Sequence, residues 1–317
     1  MTSWRPTASL GTLELRAKML RAARDYFAAT KTLEVETPTL SQHSVSDVHL
    51  GSIRAQCGND IRFLQTSPEY AMKRLLAAGC GDIYQIARVY RDGESGRHHN
   101  PEFTMIEWYR LGIDHHALMT DVELLIASLL PAHRSSERAE LVSYREAVQL
   151  HAGVDALDDP PSVLLKALTN SGIQPPKDLD QDRDACLDLI VGTLVGPKLG
   201  RERLTFIHDF PASQAALART QGRIASRFEA YLDGIELANG FHELVDPKEQ
   251  RKRFESDNAE RERRHLPPIS IDDRFLAALE QGLPECSGVA LGFDRLVMCA
   301  MDAKHIDEVL AFPFDRA

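Results

Sequence analysis

The chain has 317 residues, of which 43% are hydrophobic and 26% charged, and its formal net charge is -10 at pH 7. A chain of this length and composition can bury a sizeable core, and we expect one domain over residues 1–317. The excess of negative charge disfavours a protein that wraps a polyanion. The densest apolar run, residues 124–130, is far shorter than the roughly 20 residues that span a bilayer, so we expect no membrane partner.

The cysteines and the amino-terminal residues bear on the cellular compartment. The five cysteines are odd in number, lie far apart and form no C-x-x-C pair, which argues against a disulfide framework and against a zinc site. Residues 1–16 contain neither an apolar stretch nor a small-residue cleavage site, so they do not resemble a signal peptide. These features predict a protein of the reducing cytoplasm.

The first part of the chain predicts two helices and several strands. Thr12 can cap a helix, because apolar residues at helical spacing follow it to about Thr30. Pro68 marks the start of a second helix that runs to Ala78, and Gly79 is its stop signal. The extended segments predicted in this part are Leu33 to Thr37, Ile61 to Gln65, Ile83 to Tyr90 and Phe103 to Leu111.

The later part predicts an insertion and then a return to strands. Residues 135–200 have a mostly helical pattern broken by proline pairs, which predicts a helical insertion packed on the sheet. Asp233-Gly234 between the apolar runs Phe228 to Leu232 and Ile235 to Ala238 is a strong hairpin signal. The other predicted elements are strands at Leu204 to His208 and Val289 to Leu291, and helices at Pro247 to His265, at Asp272 to Gln281 and from Asp294. Hairpin-linked strands with segregated helices predict an α+β fold, an antiparallel sheet flanked by helices.

The first candidate site is the loop from Arg91 and the strand that follows it. Side chains alternate along that strand, so four of them share one face: Phe103, Met105, Glu107 and Tyr109. A nucleotide pocket would use Arg91 and His99 on phosphates and Phe103 against a base, and Glu107 with Tyr109 would receive a polar substrate. The alternative interpretation is a solvated hairpin tip.

Three further patterns suggest ligand contacts. Gly288, Ala290 and Gly292 alternate along the last strand, where small residues let a ligand approach the backbone, and Arg295 opens the next helix, where phosphate is the natural partner. Tight packing of the helix on the sheet is the alternative. Two carboxylates, Glu236 and Glu243, flank an Ala-Asn-Gly-Phe-His run and offer hard oxygen ligands suited to Mg²⁺ beside phosphates; an ordinary surface hairpin is the alternative. Ser67-Pro68-Glu69 puts an acid in the first turn of a helix, which capping alone would also explain.

Taken in order, these residues resemble the class II aminoacyl-tRNA synthetases of the lysyl type over nearly the whole chain. Glu34 to Leu40 is similar to their dimer-forming motif 1, Arg91 through Glu107 to motif 2, and Ala290 to Arg295 to motif 3. His99 to Met105 is typical of the lysyl branch. The strongest resemblance is to a short branch, the ligases that attach (R)-β-lysine to a lysine of translation elongation factor P, which shares Pro211 to Gln214.

The resemblance implies a role for each matching residue. The residues that hold the amino acid are Ser67, Glu69, Tyr109 and Glu243, with Ala290 in the floor of the pocket. The residues that bind ATP are Arg91, Gly93, Glu94, His99, Asn100, Phe103, Glu236, Leu237, Gly292 and Arg295. Arg91 and Arg295 are the catalytic pair that grips the phosphates, and Glu236 and Glu243 are the Mg²⁺ ligands.

The resemblance also implies partners, and the sequence departs from the synthetase pattern at three points. ATP and an amino acid are the expected small-molecule substrates, elongation factor P is the expected acceptor, tRNA is disfavoured, and a homodimer is expected. We expect no anticodon-binding domain, since the first core helix starts near Thr12. Gly93 occupies the middle of the Arg-x-Glu signature of motif 2, and Ala290 replaces a glycine of the synthetases. The rival interpretations are a truncated lysyl-tRNA synthetase that activates α-lysine and a non-catalytic regulator built on a synthetase fold.

Overall fold

The structure is a computed structural model that describes residues 4–130, 138–176, 179 and 182–317. It divides into two compact units, Met1–Ile113 with Leu244–Ala317, and Asp114–Glu243. Each unit has its own strands and its own buried core. Within the described residues, no helix is both long and apolar enough to cross a membrane.

Both units combine strands with helices. The strands, in chain order, are β1 Leu33–Glu34, β2 Leu40–Ser41, β3 Arg54–Cys57, β4 Asp60–Leu64, β5 Ile83–Tyr90, β6 Glu102–Leu111, β7 Glu140–Ser143, β8 Thr205–Pro211, β9 Thr220–Gln221, β10 Ile224–Leu232, β11 Ile235–His242 and β12 Cys286–Gly292. The helices are α1 Leu10–Ala29, α2 Glu69–Ala77, α3 His115–Leu129, α4 Tyr144–Ala152, α5 Pro161–Asn170, α6 Arg183–Ile190, α7 Pro247–Arg263, α8 Asp273–Gly282 and α9 Phe293–Met301.

The first helix begins earlier than the sequence predicts. Ser9, not Thr12, is the cap of α1, because its hydroxyl accepts a hydrogen bond from the Thr12 backbone nitrogen at 3.1 Å. Thr12 instead lies buried in the first turn, where its hydroxyl lies 2.9 Å from that of Ser9. Both residue types are good caps, and Ser9 is the one that is used.

The main sheet of the first unit has the strand order β1-β5-β6-β12. β5, β6 and β12 are antiparallel, and their register sets Gln85, Glu107 and Ala290 side by side on one face. β1 pairs with β5 in parallel, so the sheet, which the sequence predicts to be antiparallel, is mixed at this edge. β2, β4 and β3 form a second, smaller sheet.

The opposite face of this sheet packs on helices. Phe27 of α1 stacks on Tyr84 with ring centroids 4.1 Å apart and meets the edge of Trp108 at 5.6 Å. Asp294 in the first turn of α9 is also buried there, and it accepts from Arg16 of α1 at 2.5 Å and from the Thr104 backbone nitrogen at 2.7 Å. One carboxylate therefore joins two helices to the central strand.

The second unit contains the predicted hairpin and a core of its own. β10 and β11 pair as antiparallel strands, and both turn residues, Asp233 and Gly234, have the left-handed backbone that an Asp-Gly turn provides. Both strands are longer than predicted, so the Ala-Asn-Gly-Phe-His run lies within β11 and not beyond the hairpin. β10 also pairs with β8, while β7 joins β8 in parallel.

The predicted insertion at residues 135–200 contains a strand as well as helices. Its described part runs from β7 through α4, α5 and α6 to a π-helical turn at Val191–Val195. Residues 135–137, 177, 178, 180 and 181 of the predicted insertion lie outside the described residues. Tyr144, Leu164, Leu187 and Ile190 of this segment are buried in one cluster with Phe210 of β8. The fold class is α+β, as the sequence predicts.

Asp294 gives a test of how this fold is held together. Asp294→Ala is expected to lower the free energy of unfolding by about 3–5 kcal/mol, because it leaves the Arg16 guanidinium without its buried partner. The matched control is Asp273→Ala, whose exposed ion pair with Arg251 spans 3.1 Å and contributes under about 1 kcal/mol. Urea denaturation measures both variants, and equal losses would contradict the role given to Asp294.

Candidate active site

The centre of the candidate site in the first unit is the carboxyl group of Glu107. It lies on the sheet face predicted from strand alternation and is almost fully buried. Ser67 donates a hydrogen bond to its Oε2 at 2.7 Å, and Tyr109 donates to its Oε1 at 2.7 Å. Hydrogen bonds therefore connect Ser67, Glu107 and Tyr109, three residues that the sequence predicts to lie near the substrate.

The start of α2 holds the neighbouring charges in place. The Ser67 hydroxyl also accepts from the Glu69 backbone nitrogen at 3.0 Å, so it is fixed between helix and strand. One turn on, the buried ammonium of Lys73 donates to Glu69 Oε1 at 2.6 Å. The Ser67 hydroxyl therefore connects the Glu69 backbone to the Glu107 carboxyl group.

Burial gives Glu107 unusual acid–base chemistry. Loss of solvent and then the negative charge of Glu69 raise its pKa to about 8, against the lowering effect of its hydrogen bonds from Ser67 and Tyr109. At neutral pH the carboxyl group is therefore largely protonated. A positively charged group arriving beside it would favour the carboxylate.

Arg91 lies at the end of β5 with its side chain against an aromatic ring. Its guanidinium carbon is 5.1 Å from the centroid of the Phe103 ring, and Nη1 is 3.5 Å from Glu94 Oε1. Arg91 Nε is buried and forms no hydrogen bond with any described residue. A buried donor of this kind is costly without a partner, so the group is suited to receive an anion.

The turn after Arg91 explains why glycine occupies position 93. Gly93 has a φ of +76°, and an added Cβ would have no heavy atom within 4 Å. Backbone conformation, not crowding, therefore favours glycine here. The turn is what brings Glu94 back towards Arg91, although Glu94 comes one position later than the motif 2 pattern expects.

Arg295 and His99, both predicted phosphate ligands, contact each other. Arg295 is the third residue of α9, Gly292 is the cap of that helix, and Arg295 Nη2 lies 2.7 Å from His99 Nε2. Since a guanidinium has no acceptor, His99 Nε2 accepts this bond and is unprotonated. Arg295 also donates through Nε to the His98 carbonyl at 3.1 Å.

Asn100 has a supporting position in this loop. Its amide donates to the Glu102 carbonyl at 2.6 Å and accepts from the Phe314 backbone nitrogen at 3.0 Å, and the side chain is buried. Both ends of the amide are used by the backbone. Its predicted role towards ATP stays a prediction, and in this structure it fixes the loop between Arg91 and Phe103.

Ala290 lies in the small-residue strand beside Glu107. Its direct register partner on β6 is Glu107, and it packs against a buried cluster that contains Ala87, Val89 and Met105. Because paired residues of antiparallel strands project from the same face, the Ala290 methyl group shares the face of the Glu107 carboxyl. Gly292 pairs with Met105 two residues further on.

The second unit carries the predicted residues Glu236, Leu237 and Glu243. Tyr231 pairs with Glu236 and Ala230 with Ala238, so Leu237 is the extra residue of a β-bulge in β11. The Leu237 side chain is buried, and a contact with ATP would have to come through its backbone, which the bulge removes from the β10 ladder. Glu243 directly follows β11 and is also buried.

A carboxylate that the sequence analysis did not single out lies next to Glu236. Glu229 of β10 is buried, and loss of solvent followed by the negative charge of Glu236 raises its pKa to about 6. Tyr231 donates to it at 2.7 Å and Arg227 at 2.6 Å. Glu229 pairs with Asn239, whose Oδ1 is buried and forms no hydrogen bond with any described residue. The group therefore offers several hard oxygen ligands.

Sequence reasoning missed Lys73 and Glu229, although each had a signal in the sequence. Lys73 follows Glu69 by four residues on a helix, a spacing that predicts contact between the two side chains. Glu229 lies two residues before Tyr231 on the same strand face, the same spacing that joins Glu107 to Tyr109. That repeated Glu-x-Tyr pattern was the available signal for the second carboxylate.

Comparison with known proteins identifies the family. The family model of tRNA synthetases class II (D, K and N) matches residues 2–316. The chain belongs to this family. The family predicted from the three motifs is therefore confirmed.

Individual members of the class II family resemble this chain over its whole length. A protein of Vibrio cholerae named elongation factor P--(R)-beta-lysine ligase is 47% identical over 325 residues, 100% of this chain and 99% of its own. Proteins of the same name from Salmonella gallinarum and Photobacterium profundum are 47% and 46% identical, covering 99% of this chain and 98% and 99% of their own. The similarity thus extends far beyond the motifs.

The raised pKa of Glu107 predicts how stability depends on pH. Its ordinary value is 4.5 and its folded value about 8, so between these values the folded chain keeps a proton that the unfolded chain has released. The contribution of Glu107 to the free energy of unfolding is fully present below about pH 4.5, and it is lost as the pH rises towards about 8. Glu107→Gln should therefore gain stability relative to the wild type between about pH 5 and 8.

The control is Glu102→Gln, half-exposed on the same strand, which should show no such pH-dependent gain. The measurement is the urea midpoint of the wild type and both variants at each pH. A constant difference between the wild type and Glu107→Gln across this range would show that Glu107 is ionised at neutral pH.

Proposed function

We propose that this chain is an ATP-dependent ligase that activates (R)-β-lysine as an aminoacyl adenylate and transfers it to a lysine side chain of translation elongation factor P. The observation that carries the proposal is the match to relatives of that name over 98–99% of their own length. The rival synthetase interpretation is supported by the name of the family model, but no tRNA-synthetase name stands beside the ligase name among the relatives compared above. The reducing cytoplasm stays a prediction from the cysteines.

The first unit supplies groups for binding the amino acid. Ser67, Glu69 and Tyr109 are the proposed contacts, and Glu107 fixes the hydroxyls of Ser67 and Tyr109 through two hydrogen bonds of 2.7 Å. Glu69 carries negative charge at the edge of this group, while the proton on Glu107 limits repulsion between the two acids. Glu243, in the second unit, is proposed to receive the terminal amine.

The proposed first step joins the amino acid to AMP. A carboxylate oxygen of the amino acid attacks the α-phosphorus of ATP, the bond to the bridging oxygen breaks, and pyrophosphate leaves. The enzyme's part is to position the reactants and to stabilise the growing negative charge. The proposed phosphate contacts are Arg295 and Arg91, whose buried Nε forms no hydrogen bond with any residue that the structure describes.

Magnesium is the expected companion of ATP, and the residues present suit it. Glu236 and Glu243 are the predicted ligands; Glu229 lies close enough for Glu236 to raise its pKa, and Asn239 Oδ1 is buried without a hydrogen bond to a described residue. Mg²⁺ prefers oxygen ligands of this kind and neutralises phosphate charge. The acids of this group hold the negative charge that a cation balances.

The second step transfers the acyl group. The uncharged ε-amine of the acceptor lysine attacks the carbonyl carbon of the adenylate, the bond to the phosphate oxygen breaks, and AMP leaves as an amide forms. The amine loses a proton to solvent or to a base. This sequence needs no covalent bond to the enzyme.

The function is tested in two stages with the purified chain. Pyrophosphate exchange should require ATP and favour β-lysine over α-lysine, and radiolabelled β-lysine should then appear on elongation factor P and not on lysine tRNA. Exchange with α-lysine and transfer to tRNA would support the truncated synthetase instead. Absence of exchange with either isomer would support a non-catalytic regulator.

Arg91→Ala should abolish measurable adenylate formation without unfolding the chain. Removal of one preorganised donor to a developing charge costs about 10²–10³-fold, and a forked arginine contact can exceed that. Arg88→Ala is the control, because Arg88 lies on the same strand and is half-exposed. Near-normal pyrophosphate exchange in the Arg91 variant would refute the assignment of motif 2.

Ala290→Gly tests the choice of amino acid. The methyl group shares a sheet face with Glu107, and we propose that it narrows the pocket at the α-position, where β-lysine has no amino group. Its removal should raise kcat/KM for α-lysine by roughly 10–200-fold, the range for one carbon of steric discrimination. Ala230→Gly, at a buried strand position of the second unit, is the control for the loss of stability that glycine causes in a strand. An unchanged ratio of kcat/KM for the two lysine isomers in Ala290→Gly would refute the role of Ala290.

The motif 1 segment gives a prediction about assembly. Leu33 and Leu40 are 53% and 42% exposed in the single chain, and a two-fold interface would bury the same patch on both copies. Light scattering should give the mass of a dimer at micromolar concentration, and Leu33→Glu should weaken it. Leu141→Glu, at a residue also 53% exposed, should not. A fully active monomer would contradict this prediction.

A further inference from the structure

A second group of ligand-bearing side chains lies in the Asp114–Glu243 unit, apart from the residues assigned to ATP and the amino acid. Ligand atoms of His115, His116 and Asp209 all lie within 4.8 Å of one another. Among the residues that the structure describes, it is the one set of three or more His, Cys, Asp or Glu with this closeness. The function proposed above uses none of the three.

The cluster joins the start of a helix to the middle of a strand. His115 and His116 are the first two residues of α3, which Asp114 caps through a 2.9 Å hydrogen bond to the Ala117 nitrogen. Asp209 lies within β8 at a φ of +61°, where the register with β10 shifts. A left-handed residue at a bulge re-aims its side chain, and strain of this kind accumulates at functional sites.

His115 points to a missing ligand. The residue is 7% exposed, and its Nδ1 is buried and forms no hydrogen bond with any described residue. Its Nε2 is 3.5 Å from Asp209 Oδ1, too long for a good hydrogen bond. A buried imidazole nitrogen without a hydrogen bond destabilises the fold unless a ligand binds to it.

The surrounding groups are also imidazoles. His116 lies against His115, with ring centroids 4.2 Å apart, and against His208 at 5.2 Å. His208 Nδ1 lies 3.1 Å from Asp209 Oδ2, and the ring of His242 is 6.4 Å from that of His115.

We propose that His115, His116 and Asp209 form a binding site for a transition metal ion of the zinc class, with its fourth position open to water. Two imidazoles and one carboxylate are a ligand set that such ions accept. Bonds of about 2.0–2.2 Å hold tetrahedral ligands roughly 3.3–3.6 Å apart. His115 Nε2 and Asp209 Oδ1 are already 3.5 Å apart, and His116 is exposed, so the proposal places the adjustment at His116. A bound ion would join α3 to β8.

The site is tested on the full-length untagged chain after removal of metal by a chelator. Calorimetry with Zn²⁺ should show one ion per chain with micromolar or tighter affinity, and Co²⁺ should give the intense visible absorption of a tetrahedral site. Millimolar Mg²⁺ should not compete, because Mg²⁺ prefers octahedral oxygen ligands.

Variants identify the ligands. His116→Ala, at an exposed position that the fold tolerates, and Asp209→Asn should each weaken Zn²⁺ binding by at least about 100-fold, the upper end of what loss of a group supporting a ligand costs. His151→Ala, in α4 of the same unit, should bind Zn²⁺ like the wild type. Circular dichroism confirms that each variant is folded.

Two results would overturn the proposal: a stripped wild-type chain that takes up no Zn²⁺ or Co²⁺, or binding that survives in both the His116 and Asp209 variants. Pyrophosphate exchange is measured in parallel. Metal uptake does not depend on that reaction, so failure of the proposed ligase activity and failure of this site can be told apart.

Discussion

A carboxyl group buried in the central strand of a sheet is the constraint on which the first unit depends. An ionised, unpaired carboxylate in that position would cost several kcal/mol. The carboxyl group of Glu107 avoids this cost because its pKa is raised and because it accepts hydrogen bonds from the hydroxyls of Ser67 and Tyr109. The Ser67 contact in turn fixes the start of α2, which positions Glu69 and Lys73. The other face of the same strands packs against α1 and α9, so the predicted ligand residues of these strands share the remaining face.

The second unit repeats this solution with other residues. Glu229 is buried, its pKa is raised, and a tyrosine two positions later, Tyr231, donates to it at 2.7 Å, as Tyr109 donates to Glu107. The difference lies in the neighbouring charge. Arg227 donates directly to Glu229 at 2.6 Å, whereas the largest charge effect on Glu107 comes from another acid, Glu69. A carboxyl group that is held largely protonated, as at Glu107, can change its protonation state when a charged substrate arrives.

The sequence predicted elements best where short-range chemistry decides the structure. The bounds of β5 and the Asp-Gly turn were found correctly because strand alternation and left-handed turn residues are local properties. The parallel pairing of β1 with β5 and of β7 with β8 was not predicted, because in each pair the two strands are distant in the chain. The face shared by Phe103, Met105, Glu107 and Tyr109 was predicted from alternation, but the protonation of Glu107 follows from burial, which no local pattern reports. Glu229 was missed although its Glu-x-Tyr spacing repeats that of Glu107 and Tyr109, because its burial depends on the tertiary fold.

The central claim is that Glu107 is buried in its protonated form, and we propose that it releases this proton when the ammonium group of the amino acid binds in the same site. With a pKa of about 8, the carboxyl group is roughly nine-tenths protonated at pH 7, and a bound ammonium group should turn it into a carboxylate. Calorimetric titration of β-lysine at pH 7 in buffers of different ionisation enthalpy measures this release directly. We predict close to one proton per chain, falling towards zero above about pH 9 and absent in Glu107→Gln. A binding enthalpy for the wild type that does not depend on the buffer at pH 7 would contradict the account.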